Sequence, residues 1–199
     1  TISNCYSEGE IYGNYTGGIC GNRAGNSGTC TISNCYSTGE ISEKYTGGIC
    51  GDYAGYDGNC TISNCYTLGT ISGNNSGGIC GNKAGAKKGN CTISNCYTIG
   101  EISGSNSGGI CGNNAGSNSG NCILADCFSK YLSGNNTGTI TTTSAVDGNY
   151  DIDEVTSFTD LSIGSSSNWS VGNSNYWILN VFTENPWCNG EYVSYDSEP

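Results

Sequence analysis

Histidine and methionine are missing from this chain of 199 residues, and lysine plus arginine number only six. Without histidine, mixed Cys/His zinc sites are excluded, and no Cys-x-x-Cys spacing supports a thiolate one. So few bases leave no cationic footprint for nucleic acid. No apolar run approaches the roughly 20 residues of a membrane-spanning helix, so membrane insertion is not expected. Leucine and phenylalanine are scarce, which argues against a broad helical core. Neither an initiator methionine nor a signal peptide is present, and the chain opens inside a repeat. It is therefore expected to be a mature or trimmed piece of something longer.

What is abundant is glycine, at 33, and cysteine, at 14. Both lie far above globular averages. The net charge of −11 is uneven: residues 1–122 hold seven acids and five bases, residues 123–199 ten acids and one base. Ser, Thr and Asn fill most polar positions, giving an uncharged surface rich in hydrogen-bonding groups.

The dominant feature is a repeat. Thr1–Cys30, Thr31–Cys60, Thr61–Cys91 and Thr92–Cys122 are near copies of 30, 30, 31 and 31 residues. The extra residue falls in a Gly/Asn/Lys-rich stretch, as in "AGAKKGNC" against "AGYDGNC", which marks an outer turn. Within a unit, short alternating runs suit strands. Cys30 and Ile32 share one face, Thr31 and Ser33 the other. Cys35, Ser37, Gly39 and Ile41 share a face opposite Tyr36, Thr38, Glu40 and Ser42. The phase changes at Asn34–Cys35, which predicts a corner. "GGICG" around Ile49 supplies a third short strand. Three strands and three corners in about 30 residues predict one coil of a right-handed parallel β-solenoid, with neighbouring strands about 4.8 Å apart. Three isoleucine columns, beginning at Ile2, Ile11 and Ile19, are expected inside. Gly17–Gly18 and their equivalents are expected to permit tight corners or positive φ. Asn4, Asn34, Asn64 and Asn95 are expected to stack at one corner and satisfy open backbone groups.

The cysteines sort into columns: Cys5, Cys35, Cys65, Cys96 and Cys127; then Cys20, Cys50, Cys80 and Cys111; then Cys30, Cys60, Cys91 and Cys122. Cys188 stands apart. Residues stacked one coil apart fall within the Cα window of about 4.4–6.8 Å for a disulfide. Linking the second column to the next coil's first gives Cys20–Cys35, Cys50–Cys65, Cys80–Cys96 and Cys111–Cys127, and leaves Cys5 for a preceding coil. Alternatively, the thiols stay free and fill the core as small apolar groups. Both readings stand on the sequence.

The pattern [ST]-G-G-I-C-G-x-x-A-G with I-S-N-C-Y-[ST]-x-G-x-I resembles the GLUG-motif repeat over residues 1–127. That family occurs in large secreted or surface-bound bacterial proteins, including adhesins and non-catalytic regions of immunoglobulin-cleaving peptidases. Similar Cys-rich versions occur in giant viruses and some protists. The tail also resembles the end of such arrays: "DCFSKYLSGNNTGTI" is a broken repeat, "DIDEVTSFTDL" a short acidic helix, "NWSVG" the tryptophan step, and "NSNYWIL" the last motif, with Trp177 where the family has proline. The resemblance implies a cap over 128–182, in which Phe158, Leu161, Trp169, Tyr176, Trp177 and Ile178 are expected to cover the open last coil. An exposed arm over 183–199 then follows, suited to contact another subunit.

Several residues are candidates for chemistry. Glu10, Glu40 and Glu101 share an outward column, with Thr70 interrupting it. Adjacent carboxylates there fall near the roughly 5–5.5 Å of a retaining glycosidase pair, yet a copied position lacks the unique constellation that catalysis needs. In "DGNYDIDE", Asp147, Asn149, Asp151 and Asp153 are candidate calcium ligands, although Ile152 and Phe158 stand where an EF-hand needs Gly and Glu. Helix capping by Asp151 or Asp153 is the competing use. Thr31, Ser33 and their equivalents form a flat hydroxyl strip of the kind that can bind ice. Asn14, Asn74 and Asn135 are the best of six Asn-x-Ser/Thr sites for glycosylation. Tyr6, Tyr36, Tyr66 and Tyr97 form an outward aromatic column that could stack sugars.

The expectation is an all-β solenoid with a C-terminal cap, acting without cofactor or catalysis. It would serve as a fibre, spacer or adhesin of a cell surface, virion surface or extracellular filament. Self-association, other surface proteins and glycans are its expected partners. A carbohydrate-binding adhesin is the alternative, followed by an ice-binding or polysaccharide-cleaving solenoid.

Overall fold

The computed structural model describes residues 1–125 and 127–129 and the strand backbones at 140–143, 146–147, 169–171 and 177–179. Two units divide the chain, Thr1–Gly164 and Ser165–Pro199. The first is an all-β solenoid of about four turns, and no helix is found among the described residues. The expected helix in "DIDEVTSFTDL" lies outside them.

One wall of the solenoid is a single parallel sheet of ten strands. In chain order these are β1 (Ile2–Ser3), β2 (Tyr6–Ser7), β3 (Thr29–Ser37), β4 (Asn59–Thr67), β5 (Asn90–Ser94), β6 (Tyr97–Thr98), β7 (Asn121–Ala125), β8 (Phe128–Ser129), β9 (Ile140–Thr143) and β10 (Val146–Asp147). Its register follows the repeat: Cys30 faces Cys60, Ile32 faces Ile62, and Tyr36 faces Tyr66. The same pairing carries Cys60 to Cys91 and Cys91 to Cys122. The other walls are thinner, joined by single parallel bridges along Ile11–Ile41–Ile71–Ile102, Gly17–Gly47–Gly77–Gly108 and Cys20–Cys50–Cys80–Cys111. The "GGICG" run is thus a bridged wall, not a full strand. Each backbone N–H of Gly47–Gly51 still donates across the coils; Cys50 N, for example, donates to Ile79 O at 2.8 Å.

Parallel pairing also continues past the last repeat. β9 lies against β7, with Cys122 opposite Ile140 and Ala125 opposite Thr143, and β10 lies against β8. Ile140–Thr143 and Val146–Asp147 therefore take the sheet positions of "CTIS" and "YS" in the repeat. In the second unit, β11 (Trp169–Val171) and β12 (Trp177–Leu179) form an antiparallel pair.

Two apolar clusters fill the coils. The larger combines the Ile32–Ile62–Ile93 and Ile49–Ile79–Ile110 columns with the cysteines and Ala24, Ala54, Ala84 and Ala115. A separate, narrower cluster holds Ile11, Ile41 and Ile71, with Ile102 against it. Burying these small, regular side chains supplies roughly 25 cal/mol per Å² of apolar surface removed from water.

The corner residue has a specific conformational reason. Asn4, Asn34, Asn64 and Asn95 all sit at positive φ, between 51° and 56°. Among non-glycine residues asparagine tolerates this left-handed region best. The first three bond to one another through their side chains: Asn34 Nδ2 donates to Asn4 Oδ1, and Asn64 Nδ2 to Asn34 Oδ1, each at 3.2 Å. The doubled glycines match the expected tight corner without positive φ: Gly47 is pressed against its own bend, and Gly48 against the facing wall. A β-carbon on Gly47 would strike the Cys50 carbonyl oxygen, and one on Gly48 would strike the Thr67 side chain.

Asn64→Ala is expected to lower unfolding free energy by about 1–3 kcal/mol, combining left-handed strain with loss of an amide bond. Asn64→Gly keeps the turn and should lose less. Chemical denaturation of the two variants separates the contributions.

Candidate functional site

The tyrosine column is buried, not displayed. Tyr36, Tyr66 and Tyr97 are 6%, 3% and 2% exposed, and only Tyr6, at 45%, is open among the four. Their rings stack in parallel with centroids 5.0–5.2 Å apart. Strand alternation alone puts Tyr36 on the face opposite Cys35 and Ser37, yet all three are buried. Ring-on-ring packing along the axis removes the faces a sugar would need. The proposed binding face at Tyr36, Tyr66 and Tyr97 is therefore corrected to structural packing.

The glutamate column does face solvent. Glu10 Oε1 accepts a hydrogen bond from Ser42 Oγ at 3.1 Å, and Glu40 Oε1 one from Ser72 Oγ at 3.4 Å. Each carboxylate is thus held by a hydroxyl of the next coil. The hydroxyl strip keeps its register from Thr31 to Thr61 to Thr92, then gives way to Ile123. Asn14 and Asn74 are exposed on turns, as a glycan acceptor requires. Asn74 Oδ1 also accepts from the Ser105 amide at 2.9 Å. Asp147 lies in β10, not in a loop. Asn149, Asp151, Asp153 and Asn135 lie outside the described residues.

All thirteen described cysteines are free thiols. No group of three or more His, Cys, Asp or Glu is placed to hold a metal among the described residues. The first column borders its own members: Cys35 has Cys5 and Cys65 as neighbours. The second column meets the third, as where Cys111 Sγ lies 3.7 Å from Cys122 Sγ. The sulfur partners of Cys20 are Cys50 and Cys30, so the structure does not gather the Cys20–Cys35 type of pair. Burial pushes the Cys96 thiol well above its ordinary value, and its thiol neighbours Cys127 and Cys65 add to this.

One cluster was not anticipated. Arg23 and Lys83 both sit over the ring of Tyr53, at 5.6 and 5.1 Å from its centroid. Lys83 Nζ also donates to Tyr53 Oη at 3.1 Å. Tyr56 meets Tyr53 edge-on at 4.6 Å, and Lys87 lies over Tyr56 at 5.4 Å while pairing with Asp57 at 3.4 Å. Four of the chain's six bases (Arg23, Lys83, Lys87 and Lys88) thus share one turn region. Aligning the repeats already puts Arg23, Tyr53, Lys83 and Asn114 at one position, a variable column among constant ones. That contrast was the available signal.

Beneath this cluster lies Asp52, only 1% exposed, with neither carboxylate oxygen meeting a donor at bonding distance. Burial raises its pKa to about 7, outweighing the opposing pull of Asn82, Lys83 and Arg23. Comparison with protein-family models, curated proteins and solved structures finds no match.

A carboxyl that holds its proton more tightly when folded makes folding weaken as pH rises. For Asp52 the loss should begin near pH 4, where the unfolded group ionises, and level off above about 7. Asp52→Asn should therefore melt higher than wild type at pH 8, by up to roughly 4 kcal/mol of stability. The two should converge below pH 4. Thermal melts across that range check both the sign and the window.

Proposed function

We propose that this chain is a non-catalytic structural solenoid, a fibre, spacer or adhesin segment of a cell surface, virion surface or extracellular filament. The observation that carries the reading is the unbroken stacking of like on like. Isoleucine, glycine, asparagine, tyrosine and cysteine columns run through successive coils in one register. Such a molecule repeats its surface along an axis and concentrates its chemistry in length and stability. The GLUG-like motif supports the same reading, with a right-handed coil and a cap, including a short helix, over 128–182. Under this proposal the carboxylate column is a solvated surface and the segment 183–199 is a contact arm.

At high protein concentration, negative-stain microscopy should show end-to-end filaments, and oriented samples should diffract at about 4.8 Å along the filament axis. Isolated particles at every concentration would count against assembly. Glycan cleavage that is lost in Glu40→Gln would overturn the non-catalytic reading itself.

A second reading, a carbohydrate-binding adhesin, has one specific observation in its favour. The Arg23–Tyr53–Lys83–Tyr56–Lys87 cluster concentrates cations in a chain of net charge −11. Its ring faces are occupied by those cations, so an acidic glycan suits it better than a neutral one. Polygalacturonate should bind in low salt and dextran should not. The double variant Lys83→Ala/Lys87→Ala should weaken polygalacturonate binding about tenfold, a change of roughly 1.4 kcal/mol. Equal binding of both polymers would refute this reading.

A further inference from the structure

The core holds two kinds of thiol. In the first column, Cys5, Cys35, Cys65, Cys96 and Cys127 each donate to the carbonyl two residues earlier, at 3.1–3.3 Å. For the first four, the residue between is the left-handed asparagine of the corner. These thiols satisfy a carbonyl at a bend, so each already has a structural use. The corner thiols otherwise meet sulfur only along their own column, whereas the other eight meet sulfur across the coil as well. Cys20 neighbours Cys50 and Cys30; Cys60 neighbours Cys50, Cys91 and Cys30; Cys80 neighbours Cys50 and Cys91. Cys111 Sγ and Cys122 Sγ are in contact at 3.7 Å.

Each of the eight therefore faces a choice between a partner along its column and a partner across its own coil. Geometry separates the two. Column neighbours are register partners of a parallel ladder: Cys30 with Cys60, Cys60 with Cys91, Cys91 with Cys122, and the bridges Cys20–Cys50–Cys80–Cys111. Strand spacing holds such parallel side chains about 4.8 Å apart, whereas a disulfide needs β-carbons at about 3.5–4.5 Å. Closing one would pinch the ladder. Across a coil, the two cysteines come from different walls and meet at their tips, so side-chain rotation can close the gap while the ladder stays in place. The partners are also only ten or eleven positions apart, within reach before neighbouring coils have docked.

We propose that these eight cysteines pair within their own coils, as Cys20–Cys30, Cys50–Cys60, Cys80–Cys91 and Cys111–Cys122, while the corner column remains thiol. The oxidant is a small-molecule disulfide of the glutathione class. One thiolate attacks it, forming a mixed disulfide and expelling one glutathione thiolate. The second cysteine then attacks the protein sulfur of that mixed disulfide and expels the other. Two S–H bonds and one S–S bond break, one protein S–S bond forms, and the two protons leave on two reduced glutathiones. The folded core buries most of these sulfurs completely, so the exchange belongs to folding, when each coil is still open.

The test is a map of cysteine states. The reduced full chain is refolded in a reduced/oxidised glutathione buffer, and free thiols are blocked with iodoacetamide in denaturant. It is then reduced and labelled with N-ethylmaleimide. Eight maleimide labels are expected, at the eight named cysteines, with iodoacetamide on the five corner cysteines and on Cys188. Before reduction, a tryptic cut after Arg23 should leave peptide 1–23 joined to 24–44, whereas pairing along a column would join it to 45–83. Fragmentation of the joined peptides should place the bond at Cys30, not Cys35. In Cys122→Ser, two maleimide labels should vanish and Cys111 should take iodoacetamide; Cys35→Ser should leave all eight unchanged. Maleimide on the corner column, a 1–23 to 45–83 linkage, or no maleimide at all would overturn the proposal. The wild-type map decides the matter even if a variant fails to fold.

Discussion

Everything in this solenoid depends on one spacing. Parallel strands sit about 4.8 Å apart, and the repeat returns each residue type to the same place in the next coil. Every side chain must therefore tolerate a copy of itself at that distance. Asparagine does so by passing an amide bond from coil to coil. Tyrosine does so by lying flat on its neighbour. Hydroxyl groups do so by both donating and accepting: Ser76 Oγ donates to Glu43 O at 2.8 Å and accepts from Thr46 N at 3.1 Å, both in the preceding coil. Carboxylates tolerate it least, which accounts for the serine held against Glu10 and against Glu40 and for the threonine that interrupts the column at position 70.

The same constraint distributes charge. The turn carrying Glu8, Glu10, Glu40, Glu43 and Glu101 includes one base, Lys44, while the turn carrying Arg23, Lys83, Lys87 and Lys88 includes Asp52 and Asp57. In the second turn, unlike residues share a position, so attraction replaces repulsion between coils: cation over ring at Tyr53, and ion pair at Asp57–Lys87. The exposed pairs add little stability individually. Asp52 is the exception to the pattern, a buried acid between asparagine positions that weakens the coil when ionised.

Much of this was legible in the sequence. The period gave the coil, alternation placed Cys30 and Ile32 inside and Thr31 and Ser33 towards the surface, and the phase change at Asn34–Cys35 marked the corner. What escaped was anything set by contacts across the coil. Tyr36 belongs to an outward phase by alternation, but stacking buries it. Gly48 looked like a turn residue alone, but its β-position also meets Thr67 of the facing wall. The second and third cysteine columns stand on different walls, and their meeting in space is not visible in the alternation of either. The strands β9 and β10 keep only Thr141 of the motif's letters in place, so pairing geometry is what reveals them as a further layer.

The variable corner has a longer-range consequence. Where the third and fourth repeats carry an extra residue, it is absorbed by two successive left-handed residues, Lys87–Lys88 and Asn118–Ser119, where the second repeat has Asp57 alone. Register is restored at once, with Asn59 opposite Asn90 and Asn90 opposite Asn121. A coil of either length therefore presents the same upper and lower edges. Coils become interchangeable parts, and recombination between repeats in the gene can add, drop or shuffle whole turns while leaving every remaining interface intact.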